Sequence, residues 1–182
     1  MSLIANLTGY LQTQLEDSYG GSTLYAIVDS AIYPKFTEAL YLLDEERYRI
    51  LLKAPLAEMV EEAAPYLIAL DLDEEYTQAL IKEGFGSHWL TYLWSHKEIE
   101  SLQIELQEMI MPYSELHEKE ILFRFYDPRN LQNYLLIHDE DELAEMFDDV
   151  GGTFMVVDTE FNTMLNLYSS DDISDFVDLE AL

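Results

Sequence analysis

Residues Ile121 to Leu136, ILFRFYDPRNLQNYLL, set the reading of the whole chain. From Ile121 to Tyr126, Ile121, Phe123 and Phe125 alternate with Leu122, Arg124 and Tyr126, the pattern of a strand with little exposure to water. Asp127 offers the short acceptor side chain that an N-cap needs, and Pro128 suits the first helical turn, where its missing N–H costs nothing. Asp127 is therefore read first as a helix cap. Leu131, Tyr134 and Leu135 recur at helical spacing, so this helix is expected to fold its apolar side back on the sheet that holds the strand.

Working outward, a chain of 182 residues with an apolar share of 49% can bury one well-packed domain, with or without small appendages. It has no cysteine, which removes disulfides, a thiolate nucleophile and cysteine-ligated metals, and fits a reducing compartment. No apolar run reaches the roughly 18 residues needed to span a bilayer, and the opening MSLIANLTGYLQTQLED carries neither a basic region nor a cleavage site. A soluble, cytoplasmic protein is expected. Charge is the extreme quantity: 37 acidic residues face 9 Lys and Arg, for a net −28. That excludes nucleic acid and anionic membrane as expected partners, since both are bound by cations that neutralise phosphate. From Asp139 to the end there are 14 acids and no Lys or Arg, a solubilising face or a docking surface for a basic partner.

Upstream, Leu3, Ile4, Leu7, Leu11 and Leu15 mark an amphipathic helix ended by Gly20-Gly21. Leu24 to Val28, Tyr48 to Leu52 and Tyr66 to Leu70 read as buried strands, and Pro34, Pro55 and Pro128 each follow a strand and open a helix. This alternation predicts an α/β sheet with right-handed crossovers. Asp73 to Glu83 is a helix ending at Gly84, and Gly84 to Ser87 is a turn, since GFGS lacks the Lys-Ser/Thr ending of a phosphate loop. His88 to Trp94 is a strand bulky on both faces. Ser95 and Glu98 have the spacing of a capping box for a long helix through Ile99, Leu102, Leu106 and Met109. Ile110 to Glu115 is expected to pair with Ile121 to Tyr126 as a hairpin. Asp139 and Glu142 suggest a further cap, Gly151-Gly152 stops that helix, and Thr153 to Val157 is a last strand. From Phe161 onward apolar residues among acids suit a marginal helix or a docking tail.

The candidates for chemistry are few. His88, His96, His117 and His138 sit in no metal-binding spacing, and no GxSxG elbow or Gly-rich dinucleotide loop occurs. Asp29 and Asp71 end apolar strands, where α/β enzymes place catalytic groups. Both are also where turn acceptors and caps belong, and that reading is favoured. Arg124, among aromatics in a buried-looking strand, needs a carboxylate, either inside the fold or on a partner. No catalytic residue, metal or cofactor is expected.

Four blocks then stand in order: YAIVDSA at Tyr25 to Ala31, APYLIALD at Ala64 to Asp71, GFGSHWLTYLWS at Gly84 to Ser95, and LFRFYDPR at Leu122 to Arg129. In these the chain resembles the effector chaperones and adaptors of bacterial type VI secretion, over residues 22–158, with Phe85 where a tryptophan is common in that family. The expected fold is α/β, a mixed sheet with flanking helices and a short helical or acidic C-terminal appendage. Its expected parts are an N-terminal helix and linker (1–21), the adaptor domain (22–158) and a short acidic lobe or tail (159–182). The resemblance implies a non-enzymatic adaptor that binds a toxic effector and helps load it on the valine-glycine repeat spike protein, VgrG. Such a role needs a scaffold with an apolar groove. Candidate partner-binding residues are Trp89, Trp94, Phe125, Tyr126, Asp127 and Arg129 in the blocks, and Tyr168, Phe176 and Val177 in the C-terminal lobe. Each has a core or capping alternative. Asp29, Asp71, Gly84, Gly86, Arg124 and Pro128 are read as structural. Two rivals are an acidic, immunity-like or nucleic-acid-mimic inhibitor, motivated by the charge, and a hydrolase built on Asp29, Asp71 or a histidine.

Overall fold

The computed structural model describes residues 2–17, 21–114, 117–131, 140–158, 163–167 and 174–181. Its centre is strand β1 (Thr23–Asp29), TLYAIVD, in which every residue after Thr23 is buried. A run of Leu, Tyr, Ile and Val with both faces covered has to lie inside a sheet. On one side β1 pairs with β3 (Pro65–Ala69) and then β2 (Tyr48–Ile50). On the other it pairs with β4 (Leu90–Ser95), followed by β7 (Gly152–Asp158), β8 (Thr163–Leu167) and β9 (Ser174–Asp178).

The α/β class with helices flanking one sheet holds, but each pairing within the sheet is antiparallel. The crossovers expected from the strand-proline-helix alternation are lost because α2 (Lys35–Ala39) and α3 (Leu56–Met59) are single turns. At 1.5 Å per residue such a turn cannot run back along a strand. Pro34 and Pro55 each stand at the cap, one residue before the helix. The alternation survives once. Strands β3 and β4, both antiparallel to β1, run parallel to each other and are joined by α4 (Glu75–Gly84).

Register assigns the faces. Tyr25, Ile27 and Asp29 share one face with Thr91, Leu93 and Phe154. This face carries α5 (Ile99–Ile110) and the chain from 121 to 131: the Tyr25 hydroxyl donates to the Lys97 carbonyl at 2.9 Å, and the Thr91 hydroxyl donates to the Tyr126 carbonyl at 2.7 Å. Gln103 and Gln107 of α5 also donate to the Ile50 carbonyl, holding the β2 edge. The opposite face carries α4 and α1 (Leu3–Asp17), whose Leu7 and Leu11 are wholly buried. From α1 the Asn6 amide donates to the Leu179 carbonyl, and the Tyr10 hydroxyl accepts from the Asn166 amide, both at 2.6 Å. The first helix and the last strands therefore clasp each other. No helix among the described residues is long and apolar enough to cross a membrane.

Several local expectations are corrected. Residues 121–126 are not a strand, because β4 already has β1 on one edge and β7 on the other, leaving the centre of the sheet no free edge. The hairpin is reduced to a ribbon of β5 (Tyr113–Ser114) with β6 (Lys119–Glu120), extended by the Ile121 and Phe123 N–H groups donating to the Pro112 and Ile110 carbonyls. Ile121 and Leu122 are exposed as a result. Ser95 makes no capping box: its hydroxyl donates to the Val150 carbonyl at 2.6 Å and accepts the Lys97 N–H, and Glu98 takes the cap position of α5. The helix after Pro128, α6, is helical over residues 128–131, while Tyr134, Leu135, His138 and Asp139 lie outside the described residues. A short helix, α7 (Glu140–Val150), lies near the C-terminus, and beyond it Thr163–Leu167 and Ser174–Asp178 are strands where a marginal helix or tail was expected. The first pairs on the β7 edge and the second on the edge of the first, so their backbone groups are satisfied by the sheet.

Gly151-Gly152 does more than stop α7. Gly151 takes φ +58°, and a Cβ on Gly152 would collide with the Trp94 carbonyl across the β4–β7 pairing. Backbone cannot yield there as a flexible side chain would. Gly152→Ala is expected to destabilise the protein by about 3 kcal/mol or more, read as a lower urea midpoint; Gly21→Ala, where a Cβ meets open space, serves as the control and should be near neutral.

Candidate functional site

The four sequence blocks meet at one end of the sheet. At the end of β1, Asp29 is 1% exposed and almost every polar atom it has is engaged. Its N–H donates to the Trp89 carbonyl at 2.9 Å, its carbonyl accepts from Ile32 and Tyr33, and its Oδ1 accepts from Ala31 at 3.1 Å. Its Oδ2 forms an ion pair with Arg124, which reaches down from the segment over the sheet. Burial pushes the Asp29 carboxyl up, and the charge and hydrogen bond of Arg124 only partly offset this, so it stays above its ordinary value. The internal partner expected for Arg124 is thus found, on a residue 95 positions away. The guanidinium also lies 6.0 Å from the centre of the Tyr126 ring, and Asn130 donates to the Arg124 carbonyl.

Next in the chain, Asp127 caps α6 as its side chain predicts: Oδ1 accepts the Arg129 N–H at 3.0 Å, and both carboxylate oxygens hold the Arg129 guanidinium. Burial raises this carboxyl, but the Arg129 hydrogen bonds and charge outweigh burial and hold it below the ordinary range. Asp71 is likewise a turn acceptor, its Oδ1 taking the Asp73 N–H. Gly84 lies where a Cβ would collide with the Leu90 side chain, which lets α4 approach β4, and Gly86 has φ +67° in the turn that follows.

The aromatic candidates divide by exposure. Phe125 and Tyr126 are buried and packed edge-on at 5.9 Å, Phe125 also meets Phe154, and Trp89 stacks on Tyr33 with centroids 4.0 Å apart. With Asp127 and Pro128, also buried, their role in the fold is packing and capping. Trp94 and Val177 are partly open, and the Arg129 side chain is 60% exposed. Phe176 stands opposite Leu165 in the β8–β9 register, and Tyr168 lies outside the described residues. His88, His96 and His117 are exposed, and no group of metal-ligating residues occurs among the described residues.

Two features escaped the sequence. Among the described residues, seven of the nine cations, including Arg47 with Glu74 and Arg49 with Glu100, are held in internal ion pairs. The acidic surplus is therefore spread over a surface that has spent most of its positive charge. Beside α2 lies an open cleft of about 610 Å³, walled by Glu38, Leu40, Glu61 and Glu62 and floored by Tyr66. Helical spacing turns Pro34, Thr37 and Glu38 toward this cleft, and Lys35, Phe36 and Ala39 toward a second of about 230 Å³ against α4.

Replacing Arg124 with Met keeps an apolar stem and leaves Asp29 buried without its cation. The expected loss at neutral pH is about 3 kcal/mol in urea unfolding. The carboxyl, already raised and then raised further, makes ionisation of Asp29 oppose folding above its unfolded pKa. The deficit should therefore shrink as pH falls toward about 4, where the unfolded group also takes up its proton. Asp29→Asn in the Arg124→Met background should restore most of the loss at neutral pH. A deficit equal at every pH would mean that Arg124 acts through packing alone.

No curated protein and no solved structure is matched by the chain. A family model does match it, over residues 24–145, more than half of its length and all four blocks. The chain belongs to the family described as Domain of unknown function (DUF4123).

Proposed function

We propose that this chain is a non-enzymatic adaptor of bacterial type VI secretion, which binds a toxic effector in the cytoplasm of the producing cell and helps load it on the VgrG spike. The observation that carries this reading is the convergence of the four blocks. Dispersed over more than 100 positions, they close on β1, β3, β4 and the segment laid across them, with Asp29, Arg124, Asp127 and Arg129 paired among themselves. Groups that resemble an active-site constellation are engaged in holding a rigid body, which is what a presenting scaffold requires. An acidic surface with most cations paired internally favours a basic partner protein over nucleic acid or membrane, and raises the rate of encounter more than the final affinity.

The same charge supports a second reading, an acidic inhibitor that occupies the nucleic-acid or substrate face of a basic protein. Salt separates the two, because surface attraction is screened beyond about 8 Å at physiological ionic strength and apolar burial is not. Co-expression with candidate toxins and spike proteins, followed by size exclusion with light scattering in low and high salt, is the test. The adaptor reading expects a salt-resistant complex with one toxin. Trp94→Ala should weaken that complex by about tenfold or more while the free variant stays folded. If the only complexes formed dissolve as salt rises, the inhibitor reading takes its place.

A further inference from the structure

We propose that the cleft beside α2 is the docking site for a cationic, amphipathic segment of a partner protein. That such a partner is a secretion effector or spike rests on the adaptor reading; the site itself rests on three observations. The first is its build. The volume of about 610 Å³ lies in the range of ligand-binding clefts. Its floor is fixed, since the Tyr66 hydroxyl donates to the Glu61 carbonyl and the buried Ser30 hydroxyl donates to the Glu62 and Ala64 carbonyls. Behind Ser30 stands Asp29 with its ion pair to Arg124, so the turn that lines the cleft is anchored to the central strand.

The second observation is the apolar surface that continues from it. Leu40 lines the cleft, and Tyr41, next to it on the same short 3-10 turn, is 82% exposed; Leu42 of that turn lines the second cleft against α4. Neighbouring large apolar side chains left in water at a cleft mouth are the usual mark of a protein contact. The third is charge. Glu38, Glu61 and Glu62 wall the cleft, and among the described residues none of the three is ion-paired, although seven of the nine cations are matched to carboxylates elsewhere. Three unmatched carboxylates around apolar surface fit lysine or arginine side chains, whose stems cover the apolar floor while the charged heads meet the rim.

The test uses the full chain, methyl-labelled at alanine and leucine, titrated with a soluble peptide of alternating lysine and leucine and with its counterpart carrying glutamate for lysine. The Ala31, Ala63 and Leu40 signals should move saturably with the cationic peptide and not with the anionic one. The combined Glu38→Gln, Glu61→Gln, Glu62→Gln variant should bind about tenfold more weakly. A variant with the same charge removed from α7, Asp141→Asn, Glu145→Gln, Asp148→Asn, should lose less than about twofold. Equal losses in both variants would mean that the peptide reads net charge alone, and would overturn the proposal. So would shifts centred elsewhere, or shifts that appear without peptide as the mass doubles, which would make a second copy the occupant. A toxin complex indifferent to the cleft variant would overturn the cleft and leave the adaptor reading standing. Cleft binding of the peptide with no toxin or spike complex would do the reverse.

Discussion

An ionised carboxylate at 1% exposure costs several kcal/mol unless a cation comes with it, and at the end of the central strand that cation is Arg124. The pairing makes two demands at once. Asp29 has to stay where its backbone joins the β1–β4 ladder and starts the turn to α2, and residues 121–131 have to lie over the sheet so that Arg124 can reach it. The Thr91 bond to the Tyr126 carbonyl and the Asn130 bond to the Arg124 carbonyl fix that segment from both sides. Phe125 is then delivered against Phe154 of β7, and the Asp127 cap launches α6. One ion pair thus joins a strand end, a turn, a covering segment and a helix start.

The scarcity of cations gives the rest of the electrostatics its shape. With 9 Lys and Arg for 37 acids, each internal pair removes a large share of the positive charge that could face outward. Several of those pairs lie between exposed side chains and contribute little to stability. Their consequence is for recognition: they leave a surface of nearly one sign, broken by apolar side chains where α2 and its 3-10 turn meet the cleft. A partner that fits both features needs positive charge and apolar groups in one segment, which is a narrower requirement than net charge alone imposes.

Much of this was legible beforehand, and the reasons differ by residue. The buried runs at β1, β3 and β4 were visible because both faces are apolar. The Asp127 cap, the Asp71 turn and the Gly84–Ser87 turn were visible because their partners lie within three residues. Arg124 was recognised as needing a carboxylate, without the means to choose Asp29 from among 37 acids. The strand read into residues 121–126 failed for a different cause. Burial there does not alternate but grades from exposed Ile121 and Leu122 to buried Phe125 and Tyr126, and a strand also needs a free edge, which is a property of the whole sheet. Trp89, Phe125 and Tyr126 looked equally suited to core and to interface, and burial alone separates those roles. The cleft was invisible, since Glu38, Leu40 and Glu61-Glu62 become neighbours only when α2 and the turn before β3 pack together.

The sequence by itself determined the α/β class, the buried runs of β1, β3 and β4, the Asp127 cap, the turns at Asp71 and Gly84–Ser87, and the acidic charge. These depend on periodicity, composition and contacts within a few residues, which an unfolded chain already specifies. Tertiary structure alone decided the antiparallel order of the strands, the pairing of Asp29 with Arg124, the clasp of α1 on the last strands and the cleft beside α2. Each of these joins groups far apart in the chain. Which distant groups meet is set by the competition of all elements for the same edges and faces, and no local pattern carries that information.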